Sequence, residues 1–165
     1  MIPEFFRRRQ LKNAFAQYVT PELAEQLSGG PRPSQSPECT VREIEFAFIS
    51  AEAPDAKTYA QHAEVISATA IKHHGVVCAV LPVIVVGFCV LNPVQVGSRE
   101  LFLKEMRESL PGIASAIHGR VTASVGSHGG PTRFDFGFWW PQIGTAIRQL
   151  ASLAPGEFQE LRAGK

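Results

Sequence analysis

The groups from which this chain could build a reactive centre are five histidines, three cysteines and one glycine-rich loop. His73-His74 stand where a helical pattern ends, a position that suits cationic side chains through the helix dipole and explains the pair without a metal. Gly126-Ser127-His128-Gly129-Gly130-Pro131 has the glycine content of a phosphate cradle. It leads from one strand pattern into another, not into a helix N-terminus, and carries no lysine, so it reads as a hairpin loop. Cys78 falls in an apolar strand pattern, where burial raises a thiol's pKa and makes it a poor nucleophile. No Ser-His-Asp or Cys-His constellation follows from the spacing. Trp139-Trp140 suggests binding instead: neighbours on a strand face opposite ways, so one tryptophan points away from the core. An exposed aromatic of that size suits a partner, and Tyr18, Trp139 and Trp140 are the candidate partner-binding residues. The alternative is a tryptophan pair that covers the core beneath the N-terminal helix.

The elements that must position these groups are legible from periodicity. Residues 4–18 have helical spacing, with Phe5, Leu11, Phe15 and Tyr18 along one side. Thr20-Pro21-Glu22 starts a second, short helix that ends at Gly29-Gly30. Residues 1–28 thus form a helical lead-in, residues 29–39, with three prolines, a linker, and residues 40–165 a globular domain. Val41 to Ser50 alternates as a strand, with Ile44, Phe46 and Phe48 on one side. Pro54 to His73 carries a helical stripe closed by Gly75. His74 to Phe88 is two apolar β-branched runs meeting at Leu81-Pro82, a hairpin of buried strands. Ser98 caps a second long helix, which ends near Pro111-Gly112. Strands follow at Ile117–Val125 and Arg133–Phe138, then a helix opened by Pro141, then a polar tail from Pro155. The first six globular elements are the β-α-β-β-α-β order of a ferredoxin-like α+β domain, with an antiparallel sheet and helices on one face.

Composition sets bounds. With 45% hydrophobic and 19% charged residues the chain is an ordinary globular sequence. A formal charge of +1 argues against nucleic acid as a partner. Three scattered cysteines make no disulfide framework, and neither a secretory signal nor a run of about 20 apolar residues is present. The expectation is a cytoplasmic location. Phe5-Phe6-Arg7-Arg8-Arg9 reads either as the inner edge of a membrane anchor lying upstream or as a short amphipathic helix with solvated arginines.

Four separated stretches, in order, resemble the class III adenylate/guanylate cyclase homology domain. Leu11 to Glu22 is similar to the family's lead-in L-x-x-x-F-x-x-Y-V-S/T-P-E, and Ile44-Glu45-Phe46-Ala47-Phe48-Ile49 to its first strand, F-A-D-I. The hairpin from His74-Gly75 resembles H-G-G-x-V-x-K-x-x-G-D. Gly126-Ser127 through Arg133-Phe134-Asp135-Phe136 to Arg148 resembles G-S-x-x-R-x-D-Y followed by G-D-x-V-N-x-A-x-R. The resemblance covers about residues 10–150.

In that family two aspartates hold two metal ions that clamp the triphosphate and activate the ribose hydroxyl, work that requires oxygen ligands. The resemblance places Phe48 and Val83 at those positions, Ala79 at the purine-contacting lysine and Pro141 at the polar purine reader. Gly144 falls near the ribose-orienting asparagine. Arg148 matches the arginine that stabilises the transition state, or is a solvated arginine on an amphipathic helix. The expectation is a domain with no metal and no cofactor, catalytically inactive, acting in signalling as a dimerising regulatory or scaffold module. Its partner would be a second copy or another cyclase-type chain, with a sensor upstream. Two alternatives are the non-metal-binding half of a heterodimeric cyclase, and a nucleotide sensor without turnover. The family adds strands after the arginine helix, for which Gly156 to Lys165 is too short.

Overall fold

The computed structural model describes residues 38–79, 83–88, 98–129 and 134–161. The lead-in with Tyr18, and all but the last two residues of the expected linker, lie outside these residues. Among the described residues, six strands and three helices follow in the order β1 (Glu38–Ala51), α1 (Ala56–Lys72), β2 (Val76–Ala79), β3 (Ile84–Phe88), α2 (Ser98–Ser109), β4 (Ala114–Gly129), β5 (Phe134–Trp139), α3 (Ile143–Ala151) and β6 (Phe158–Glu160). The sheet order is β2-β3-β1-β4-β5, with β6 also on β4. β1 is antiparallel to both β3 and β4, and β2 is antiparallel to β3. Each of β1-α1-β2 and β3-α2-β4 is therefore a crossover that skips one strand, the ferredoxin-like arrangement expected.

Both faces of β1 are apolar, which its alternation only half discloses. Ala47, Ile49 and Ala51 point to the face covered by α1 and α2, where they meet Ile66, Phe102 and Met106. Ile44, Phe46 and Phe48 point to the other face, covered by Ala146 and Leu150 of α3. The two core helices share one face, and the third, which follows the core, closes the opposite one. Where the first face turns polar, Glu45 is buried and takes both Nε and Nη2 of Arg120, at 2.8 and 2.7 Å, on one carboxylate oxygen.

Three readings differ from the sequence analysis. Glu38 and Cys39, read as the end of the linker, begin β1, because they pair with Ser127 and Gly126. Gly126–Gly129, read as a loop, continue β4, because all four pair with β5 and Gly126 and Ser127 pair with the start of β1 as well. The polar tail supplies β6, which runs parallel to β4 at Ala116–His118 and tucks Phe158 against the α2 side of the core.

Helix α1 ends as the His-Gly pair suggests, but the two residues exchange roles. His74 itself adopts the left-handed conformation, φ 59°, and Gly75 N–H reaches back to the Ala70 carbonyl at 2.7 Å. Gly75 is there for space. A Cβ on it would lie 2.7 Å from Val86 Cγ1 and 2.9 Å from Phe88 Cε1. Gly75→Ala is expected to destabilise the domain by about 1–3 kcal/mol through overpacking, read from the urea midpoint. His74→Gly, by contrast, should be neutral or slightly stabilising.

Candidate functional site

The face of the sheet under α3 is where the candidate residues converge. β1 and β3 pair Phe48 with Val85, and Val83, just ahead of β3, packs into the same cluster as Phe48. The structure thus brings Phe48 and Val83 together on neighbouring strands. Phe48 is 1% exposed. Its ring meets Phe46 edge-on at 5.4 Å and Trp140 at 5.5 Å, and Trp140 lies 4.8 Å from Phe46. Three aromatic rings therefore fill the position, at separations where ring pairs attract.

Trp140 corrects one expectation. At 2% exposure it belongs to the core and offers no surface to a partner. Parity carried the signal: Phe134, Phe136, Phe138 and Trp140 continue one alternation, and Phe138 pairs with Val125, a member of the same buried cluster. Trp139 pairs with Ser124, which in turn pairs with Val41, 73% exposed. That register puts Trp139 on the strand face away from Trp140. Its side chain lies outside the described set.

The remaining candidates flank this plug. Ala79 pairs with Val85 beyond a register shift after Val77, and its side chain too is outside the described set. Pro141 and Gly144 are exposed at the start of α3. Arg148 is exposed one turn beyond Gly144, and its Nη2 donates to Thr145 Oγ1 at 3.0 Å. Gly144 and Arg148 thus share the solvent side of α3, while Ala146 and Leu150 hold the sheet.

This site does not fit a divalent cation. Hard cations need several oxygen ligands, and the two positions that the resemblance assigns to carboxylates are a buried phenyl ring and a valine. Among the described residues no group of three or more histidines, cysteines, aspartates or glutamates could hold a metal. Cys78, packed on the same face, has its thiol pushed up to about 12 by burial, so it stays protonated and is neither a ligand nor a nucleophile. Nor is the turn after β1 arranged for phosphate. The α1 N-terminus, where unpaired N–H groups attract anions, is capped by the carboxylate of Asp55, which accepts from Thr58 N at 2.9 Å and from Thr58 Oγ1 at 3.0 Å. These hydrogen bonds hold the Asp55 carboxyl below the usual range, so its negative charge is fixed where an anion would sit.

No family model matches the sequence, and no curated protein matches it. Among solved structures, 31 chains match. A bacterial light-regulated adenylyl cyclase superposes with a TM-score of 0.54 at 12% identity, over 87% of this chain and 49% of that one. The guanylyl cyclase Cya2 gives 0.47 at 13% identity, over 73% and 75% of the two chains. The adenylyl cyclase CyaB from P. aeruginosa gives 0.47 at 14%, over 74% and 78%. The chain therefore spans about half the length of the light-regulated protein. The chain shares its fold with the part of the light-regulated adenylyl cyclase on which it superposes. No helix among the described residues is long and apolar enough to cross a membrane.

Proposed function

We propose that this domain is a catalytically inactive member of the cyclase-like fold that works by association, as a dimerising regulatory or scaffold module in signalling. The observation that supports this most is the Phe46-Phe48-Trp140 packing at the position where two carboxylates would otherwise face each other. Phosphoryl transfer depends on metals and positioned donors to stabilise charge, and an apolar plug supplies neither. The exposed arginine supports a second reading, in which this chain lends Arg148 to a partner chain that holds the metals.

The test is a cyclase assay with ATP and GTP, in manganese and in magnesium, on protein whose mass is fixed by light scattering. The expected result is a dimer with no cyclic product. Turnover by the chain alone would overturn the proposal. Product formed only on mixing with a cyclase-type partner, and lost in Arg148→Ala, would establish the second reading instead.

A further inference from the structure

One stretch of sheet face carries no helix, and the proposed function makes no use of it. The first residues of β1 pair with the last part of β4, which pairs in turn with β5. The face in question is the one that α1 and α2 cover at Ala47, Ile49 and Ala51. There the register sets Val41, Ser124 and Trp139 in one row and Cys39, Gly126 and Gly137 in the next. None of the six carries a charge, and two have no side chain. Val41, at 73% exposure, shows that neither helix reaches this far. Polar and charged positions border the two rows, with Glu43 beside Thr122, both exposed, on one side and His128 beside Asp135 on the other. An uncharged middle inside a polar rim is the anatomy of a contact surface.

We propose that this face is the docking surface for the chain's own N-terminal lead-in, the helix expected over residues 4–18, with Leu11, Phe15 and Tyr18 set against the two rows. The sizes agree: three strands about 4.8 Å apart present a strip about 10 Å wide, the width of one helix. Gly126 and Gly137 let a helix backbone approach closely. The reach is sufficient. The chain enters β1 at Glu38, about 10 Å along the strand from Val41, and residues 29–37 can span about 30 Å. Tethering at that distance holds the segment at about millimolar effective concentration, which favours it over the same segment of a second copy. The docked lead-in would give anything upstream a route to the aromatic cluster, because Trp139 is bonded to Trp140. The inference stands whether or not the domain is catalytically inactive.

Fluorescence of the full chain tests this. Its two tryptophans are Trp139 and Trp140, and the second, at 2% exposure, is closed to a soluble quencher. Acrylamide quenching therefore reads Trp139. In the wild type Trp139 is expected to be largely protected at every protein concentration. Phe15→Glu, which sets a charge into the apolar side of the lead-in, should raise the quenching severalfold and shift the emission to the red. Val41→Lys, at an exposed position that spares the fold, should do the same from the side of the sheet. Asn13→Glu, on the opposite side of the expected helix, should change neither signal. Trp139 as open in the wild type as in Phe15→Glu would overturn the proposal. So would an equal effect of Asn13→Glu, or protection that is lost on dilution, which would make a second copy the occupant.

Discussion

Trp140→Ala is expected to cost about 3–5 kcal/mol, the range for deleting a fully buried large aromatic. The indole is held between strand and helix. It touches Phe46 and Phe48 on β1 at 4.8 and 5.5 Å and sits at the entrance to α3, whose Ala146 and Leu150 share its cluster. Its removal leaves a cavity that the sheet cannot close, because β1 is fixed on both sides by β3 and β4. A domain of this size has about 5–15 kcal/mol in total, so the variant should unfold at a far lower denaturant concentration. Trp140→Phe, which retains a ring, should recover more than half of the loss. The check is a urea titration followed by far-ultraviolet circular dichroism. A loss below about 1 kcal/mol would mean that the rings are peripheral, and the apolar-plug account of the site would go with it.

The order of the elements was legible because the sheet's strands alternate and its helices carry apolar stripes. β1 shows both the reach and the limit of that reading. Ile44, Phe46 and Phe48 announce a buried face, but Ala47 and Ala51 are too small to announce the second one, which only the α1 and α2 contacts reveal. Phe48 and Val83 were paired through a motif 35 positions apart, and the strand register places them on one face. Trp140 was ambiguous because a residue after a strand can follow its parity or leave it. β6 could not be seen at all: three residues, Phe158 to Glu160, have no periodicity, and they form a strand only because β4 has a free edge there. The buried Arg99 was equally hidden, since an arginine in a first helical turn ordinarily points to water.

The proposed inactivity can be probed by placing one carboxylate in this cluster. Phe48→Asp is expected to be the most damaging single change in the domain, at about 4 kcal/mol or more, because an ionisable group would be buried among aromatic rings with no partner. Phe48→Leu, which keeps the space filled with apolar atoms, should cost only about 1–1.5 kcal/mol. The difference between the two separates charge burial from lost volume. The double variant Phe48→Asp/Val83→Asp then asks whether the fold still holds the geometry of a metal pair. Two acids on neighbouring strands repel, so without metal the double variant should be less stable than either single one. Trp140 presents an apolar ring to one of them and adds no oxygen ligand, so millimolar manganese should not raise its melting temperature. A rise of several degrees, saturating with metal and absent in both single variants, would show the opposite. Phe48 and Val83 would then be the whole of the barrier, and the Trp140 packing no second obstacle.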